Sequence, residues 1–125
     1  MNIIHTDQSS QAIGPYSQAI EVDGWVYTSG CVGLKADNSL SGEDVEAQTH
    51  QTFANLTAIL AAAGCTLKDV VKATVYLADM DEFAAMNAIY SEYMDGHQPA
   101  RSCVEVQRLP KDLRVEIDVI ARKQN

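Results

Sequence analysis

Alternating apolar and polar residues predict a β-hairpin near the start of the chain. Two β-rich runs, at about residues 16–22 and 25–30, flank the dipeptide Asp23-Gly24. An Asp-Gly pair between such runs is a strong signal for a two-residue turn in which both residues adopt a positive φ. We therefore expect the first two strands to pair in antiparallel fashion.

The middle of the chain has the three- and four-residue spacing of two amphipathic helices. The first is predicted from Glu43 to Ala63, with Gly64 as a left-handed cap at its end. Its apolar stripe consists of Val45, Phe53, Leu56, Leu60 and Ala63. Asp79 and Glu82 have the spacing of a capping box and predict the start of the second helix. The buried stripe of that helix consists of Phe83, Met86, Tyr90 and Tyr93.

Three further strands complete the pattern. The segment VVKATVYL between the helices alternates in polarity, and two last strands are predicted near 101–107 and 113–121, joined by the turn-forming RLPKDL. The order β-β-α-β-α-β-β predicts an α+β fold in which two helices cover one face of a sheet. The other face would stay open, and an open, partly apolar face favours a homo-oligomer in which sheets pack together.

Length and composition fit one globular domain spanning residues 1–125, with 46% hydrophobic and 21% charged residues. No apolar run has the roughly 18 residues that a membrane span requires, and the N-terminus lacks the pattern of a signal peptide. Three cysteines at wide spacing favour free thiols in a reducing compartment. We therefore expect a soluble, cytoplasmic protein.

The net charge of −8 repels phosphate backbones and anionic membrane surfaces, so we expect neither nucleic acid nor a membrane as a partner. An anionic small ligand would need a positioned cation to overcome this field. Arg101, in the strand-like sequence ARSCVEV, is the cation that stands out. His5, His50 and His97 are isolated, and no Cys/His cluster or phosphate-binding glycine motif is present, so neither a metal nor a nucleotide cofactor is expected.

Residues two apart in a strand share a face, so Arg101, Cys103 and Glu105 should point the same way. The opposite face, which carries Ser102, Val104 and Val106, is predicted to belong to the core. If the last two strands form a hairpin, Arg101 and Glu116 can lie on one cleft floor. Spacing alone leaves open a solvated cross-strand ion pair, which contributes only ~0.2–1 kcal/mol. Cys103 has no neighbouring histidine in sequence and is better interpreted as a packing residue than as a nucleophile.

Several motifs together resemble one protein family. In chain order they are IGPYSQAI, YTSG, NLTAILAAAG, PARSCVEV, LPKD and VEIDVIA. They resemble the Rid (YjgF-type) family, and most of all its RidA branch of enamine/imine deaminases. The resemblance implies a chorismate-mutase-like fold, a homotrimer with clefts between subunits, and no cofactor. It also implies hydrolysis of 2-aminoacrylate, 2-iminopropanoate and 2-iminobutanoate to 2-keto acids and ammonia.

The resemblance also implies roles for single residues. Arg101 matches the arginine that binds the substrate carboxylate, and Glu116 matches the acid that holds or activates the attacking water. The other matching cleft positions are Tyr16, Ser29, Gly30, Asn87 and Cys103. We expect these to shape the pocket and contact the imine nitrogen, with Cys103 acting through its backbone.

Cys31 departs from the family pattern, in which glutamine commonly follows the Ser-Gly pair. This position borders the implied cleft, so the difference bears on substrate preference, although a packed thiol is the simpler interpretation. An alternative function is a sensor that binds 2-keto acids and other small carboxylates without turnover. Such a sensor would need Arg101 but not Glu116.

Overall fold

A computed structural model describes residues 1–124. Within them, seven strands and two helices follow one another in the order β1-β2-β3-β4-α1-β5-α2-β6-β7. The strands are β1 (Asn2–Ile4), β2 (Ala19–Val22), β3 (Trp25–Thr28), β4 (Cys31–Val32), β5 (Val70–Leu77), β6 (Ala100–Glu105) and β7 (Val115–Arg122). The helices are α1 (Val45–Ala62) and α2 (Phe83–Met94).

All strands belong to one mixed sheet with the order β1-β2-β3-β7-β5-β6, and β4 pairs with part of β7. Strands β5 and β6 are parallel, whereas the other pairs are antiparallel. The buried side chains of α1 and α2 form a common core with one face of the sheet. The predicted α+β architecture, with two helices on one face, is confirmed. Neither helix of residues 1–124 is both long and apolar enough to cross a membrane.

Local signals in the sequence account for the first hairpin and for α1. Asp23 and Gly24 have φ values of 52° and 82°, as a tight two-residue turn between β2 and β3 requires. The side chain of Asp44 caps α1 by accepting a hydrogen bond of 2.6 Å from the backbone N–H of Ala47. Gly64 follows the end of α1 with a φ of 81°, which confirms it as the left-handed cap.

The predicted capping box at the start of α2 is wrong. Asp79 accepts a hydrogen bond from the backbone N–H of Asp81 and caps a short 3₁₀ turn that precedes α2. The Glu82 carboxylate does not reach back to Asp79, because it accepts two hydrogen bonds of 2.8 and 2.6 Å from the guanidinium of Arg114. The ion pair with Arg114 therefore engages the Glu82 side chain, which would be needed to complete the capping box.

The predicted hairpin between the last two strands is also wrong, because β5 lies between them. Val75 of β5 is paired with Cys103 of β6 on one side and with Ile117 of β7 on the other. Helix α2 carries the chain back to the start of a parallel strand, and β7 then enters between β3 and β5. Strands β1 and β4 have only three and two residues, too few for an alternating pattern to be visible.

The face of the sheet turned away from α1 and α2 carries several accessible apolar side chains. We call it the open face and define it by Trp25, Tyr27, Val104, Glu116 and Ile120. Tyr27 is 45% exposed, Val104 44% and Trp25 36%. A patch of this kind on a sheet is a typical protein interaction surface.

Candidate functional site

Arg101 and Glu116 lie on opposite faces of the sheet. Arg101 is paired with Ala73 of β5, which is fully buried beneath the helices. Glu116 is paired with Tyr76 of the same strand, three residues further on and therefore on the other face. The prediction that the two side chains share a cleft floor is wrong within one chain, because it depended on the hairpin that β5 interrupts.

The faces of β6 are the reverse of those expected. Ser102 and Val104 are exposed on the open face, whereas Arg101 and Cys103 are half-buried on the helix side. Val106 is half-buried against a small leucine cluster and not in the main core. Hydrophobicity misassigns this strand because α2 presents aromatic rings to this side of it, and the faces of these rings attract a guanidinium.

Arg101 stands in a pocket at the free edge of the sheet, with a volume of about 280 Å³. We call it the Arg101 pocket, and its wall includes Asn87, Tyr90, His97, Pro99 and Arg101. The Nη1 atom of Arg101 donates a hydrogen bond of 2.7 Å to Oδ1 of Asn87. The centre of the guanidinium lies 4.6 Å from the ring centroid of Tyr90 and 5.5 Å from that of Phe83. The cation is thus fixed from two sides, and most of its five N–H donors stay available for a ligand.

Cys103 supplies this region with a backbone donor. The N–H of Val106 points into the sheet and donates to the carbonyl of Leu77 at 2.9 Å. Because successive N–H groups of a strand alternate in direction, those of Cys103 and Arg101 point outward at the edge that β6 forms. The thiol of Cys103 instead packs against the core, and burial raises its pKa. The side chain is therefore a wall, as expected, and the backbone is the group that a carboxylate can reach.

Glu116 stands in a second cavity, also of about 280 Å³. We call it the Glu116 pocket, and its wall includes Tyr16, Ser29, Gly30, Cys31, Lys111 and Glu116. Pairing of Val32 on β4 with Glu116 on β7 sets the carboxylate beside the short link between β3 and β4. This two-residue strand, invisible in the sequence pattern, is what brings the Ser29-Gly30 pair and Glu116 together.

Gly30 is required by close approach and not by backbone conformation. A Cβ atom at this position would lie 2.5 Å from Oε2 of Glu116 and 2.6 Å from its Cδ. No carbon tolerates such a distance, so any other residue at 30 would push the carboxylate away. Gly30 thereby defines where the carboxylate of Glu116 sits.

Ser29 and Tyr16 form the rim of the Glu116 pocket. The Ser29 hydroxyl donates a hydrogen bond of 2.6 Å to the carbonyl of Ser17, and its backbone N–H donates to the carbonyl of Gln18. These contacts hold the segment that carries Tyr16 over the pocket. Tyr16 is 53% exposed, and its hydroxyl accepts a hydrogen bond from the backbone N–H of Ile13. An exposed aromatic ring at a pocket mouth is well placed to cover a ligand.

The electrostatic surroundings of Glu116 favour the protonated carboxyl. Burial raises the pKa of Glu116, and the negative charge of Asp118, two residues along the same face of β7, raises it further. The pKa of Asp118 is itself raised by burial. A raised pKa makes the carboxylate a stronger base and lets the group accept a proton at a higher pH than an ordinary glutamate, which favours acid–base catalysis.

Cys31 is buried, and its thiol is unreactive at neutral pH. Burial, together with the charges of Glu116 and Asp118, raises its pKa to about 12. Since the thiolate is the nucleophile and the metal ligand, the group is a packing residue in the wall of the Glu116 pocket. Its interpretation as a packed thiol is confirmed.

The seven residues singled out in the sequence thus form two groups. Asn87 and Arg101 line one pocket, and Cys103 lies two residues after Arg101 on the same strand, with its side chain packed against the core. Tyr16, Ser29, Gly30 and Glu116 surround the other. Within residues 1–124, no cluster of three His, Cys, Asp or Glu residues could hold a metal ion.

Sequence reasoning missed three residues of these pockets. Phe83 and Tyr90 were assigned only to the buried stripe of α2, although their rings flank Arg101. Their seven-residue spacing, on the helix that precedes the arginine strand, is the signal that could have revealed them. Lys111 lies in a left-handed conformation, with a φ of 57°, and lines the Glu116 pocket. An unusual conformation of this kind is not visible in LPKD.

The chain matches known proteins over almost its whole length. Residues 6–123 match the family model described as Endoribonuclease L-PSP. A RutC family protein of Synechocystis is 51% identical over 124 residues, covering 97% of this chain and 95% of that protein. A 2-iminobutanoate/2-iminopropanoate deaminase of Salmonella typhimurium is 44% identical over 121 residues, covering 94% of both chains.

The fold also matches solved structures of other proteins. The crystal structure of TdcF from Escherichia coli with bound serine superposes with a TM-score of 0.94 at 38% identity, covering 99% of this chain and all of that one. Sequence motifs, family model and fold agree, and the chain therefore belongs to the Endoribonuclease L-PSP family, the Rid (YjgF-type) family that its motifs resemble.

Proposed function

We propose that this protein hydrolyses 2-imino acids and their enamine tautomers, with 2-iminopropanoate and 2-iminobutanoate as substrates, to 2-keto acids and ammonia. The observation that carries the proposal is the pair of Arg101 and Glu116, each presented in its own pocket. One is a fixed cation beside an outward backbone N–H, and the other is a half-buried carboxyl with a raised pKa. The name of the Salmonella relative supports the same reaction.

Each active site would then be shared between two copies of the chain. A small imino acid is too short to contact both faces of one sheet, so Arg101 and Glu116 of a single chain cannot hold the same molecule. When the open face of one copy meets the sheet edge of the next, an Arg101 pocket and a Glu116 pocket can form one cleft. The homotrimer implied by the family resemblance closes such contacts into a ring with three equal sites.

The chemistry needs two positioned groups and water. The guanidinium of Arg101 would bind the substrate carboxylate through two parallel hydrogen bonds, a geometry that lysine cannot reproduce. Glu116 would accept a proton from a water molecule as the water oxygen bonds to the imine carbon. With a protonated imine as substrate, the same carboxyl would return this proton to the nitrogen of the tetrahedral intermediate. As the carbon–nitrogen bond breaks, the carboxylate would take the proton of the new hydroxyl group and pass it to solvent, so that the products are the 2-keto acid and ammonia. No oxidant, metal or organic cofactor enters this balance.

The test is release of ammonia from 2-iminobutanoate generated in situ by a threonine dehydratase. We expect the protein to accelerate release, Arg101→Ala to abolish the acceleration, and Glu116→Gln to remove turnover while retaining affinity for 2-ketobutyrate. A protein that binds 2-ketobutyrate but never accelerates release would be the sensor, and the deaminase proposal would then be wrong.

A further inference from the structure

The contacts of Arg101 suggest that Asn87 has a role beyond the pocket position that the family pattern gives it. The amide oxygen Oδ1 of Asn87 accepts the 2.7 Å hydrogen bond from Nη1 of Arg101. That oxygen therefore already accepts a hydrogen bond from the Arg101 cation. This bond restricts rotation of the guanidinium. A contact between Asn87 and an imine nitrogen would have to use the amide Nδ2 group or the second lone pair of Oδ1.

Aromatic rings restrict the same guanidinium from the side. Tyr90 lies 4.6 Å and Phe83 5.5 Å from the guanidinium carbon, both within the range of a cation–π contact. Tyr90 is 7% exposed, and its hydroxyl makes no hydrogen bond with any described residue. Burial raises the pKa of this phenol, so it stays neutral. Tyr90 therefore contacts Arg101 through its aromatic ring and not through its hydroxyl.

We propose that Asn87 is a positioning residue that, with the rings of Tyr90 and Phe83, holds the guanidinium of Arg101 ready for a carboxylate. An arginine on an edge strand has several rotatable bonds, and fixing them before binding removes an entropic cost from ligand capture. The proposal rests on the proposed function in that it assigns Arg101 the carboxylate. It places the effect of Asn87 on affinity and not on the chemical step.

A double-mutant cycle with 2-ketobutyrate separates this role from a contact with the imine, because the keto acid has no imine nitrogen. We expect Asn87→Ala to weaken 2-ketobutyrate binding roughly tenfold and to raise KM in parallel, with kcat changed by less than about twofold, since one charge-assisted hydrogen bond is lost. In the Arg101→Ala background, Asn87→Ala should cause no further loss of 2-ketobutyrate affinity. In the Glu116→Gln background, its effect on 2-ketobutyrate affinity should be undiminished.

The rings are tested by a matched pair of substitutions. Tyr90→Phe keeps the ring and should retain affinity for 2-ketobutyrate, whereas Tyr90→Leu should weaken it severalfold. Tyr93→Leu is the control, because Tyr93 is on the same helix but stacks on Phe53, at 4.7 Å, and not on Arg101. Thermal unfolding of each variant separates lost folding from lost positioning. Equal weakening by Tyr90→Leu and Tyr93→Leu would count against the proposal.

A readout that needs no ligand keeps the proposal separate from the proposed function. In protein with ¹⁵N-labelled arginine, rotation of the Arg101 guanidinium should be slow in the wild type and faster in Asn87→Ala. Equal rotation in both proteins would overturn the proposal whatever the activity. A drop in kcat at unchanged affinity for 2-ketobutyrate would also overturn it, because that result assigns Asn87 to the imine nitrogen. Failure of the wild type to release ammonia would count only against the deaminase.

Discussion

Arg101 and Glu116 face away from each other across one sheet, although only three positions of β5 separate their partners Ala73 and Tyr76. An odd step along a strand reverses the face, so the two side chains lie on the helix side and on the open face. The chain thus carries Arg101 and Glu116 in two separate pockets. If the family chemistry operates here, its active site is a property of the assembly.

The open face should be required for that assembly. Val104→Asp places a charge among exposed apolar side chains of the sheet, and we expect the protein to elute as a monomer of about 13.6 kDa with no deaminase activity. Thr57→Asp on the exposed side of α1 is the matched control and should leave the oligomer intact. Size-exclusion chromatography with light scattering decides the matter, and a Val104→Asp protein that stays oligomeric would contradict the role of this face.

The pH dependence of activity should depend on the charge of Asp118. As pH falls through the pKa of Glu116, the general base is lost. Burial first, and then the charge of Asp118, raise that pKa, so activity should fall at a higher pH than an ordinary glutamate would dictate. Asp118→Asn removes the second cause, and the acid limb of kcat/KM should move to lower pH. Asp81→Asn, an exposed surface substitution, should not move it, and an unmoved limb in Asp118→Asn would refute the coupling.

Gly30 should be energetically coupled to Glu116. Gly30→Ala puts a methyl group where the carboxylate lies, and we expect it to lower kcat strongly and to destabilise the fold by roughly 1–3 kcal/mol. In a Glu116→Ala background the space is free, so the same substitution should cost little. Denaturant unfolding of the four proteins measures the coupling. Equal costs in both backgrounds would show that the close contact is not what requires glycine.

The acidic chain should not bind RNA, despite the description of its family as an endoribonuclease. A net charge of −8 repels a polyanion, and binding through phosphates would show a steep loss of affinity with salt. We expect fluorescence anisotropy with labelled single-stranded RNA to detect no binding at low ionic strength. Salt-sensitive binding there would show a local basic surface that the total charge conceals.

Sequence patterns predicted the parts of this fold that are encoded locally. Asp23-Gly24 specified a hairpin, and the apolar stripe from Val45 to Leu60 specified α1, because turn geometry and helical period are short-range properties. The pairing of β7 depends on contacts between residues that are far apart in the sequence. The turn at LPKD therefore does not indicate that β5 lies between β6 and β7.

The candidate site was predictable as a set of residues but not as an arrangement. The motif resemblance named residues of both pockets, from Tyr16 to Glu116. It did not reveal that Asn87 is bonded to Arg101, because the contact joins α2 to β6 across fourteen residues and depends on how the helix packs. Strand periodicity predicted Val104 to be in the core, whereas it is 44% exposed, because hydrophobicity alone does not distinguish a core position from an exposed apolar one.

The central claim, that each site combines Arg101 of one copy with Glu116 of another, is tested most directly by mixing two inactive variants. Arg101→Ala and Glu116→Gln chains, co-expressed in equal amounts with different tags, assemble at random. If each site takes its two residues from neighbouring copies, about one quarter of the sites regain both and about one quarter of wild-type ammonia release returns. Separately assembled variants mixed without subunit exchange should stay inactive. No recovery in verified mixed oligomers would show that each chain must supply both residues, which would contradict this account.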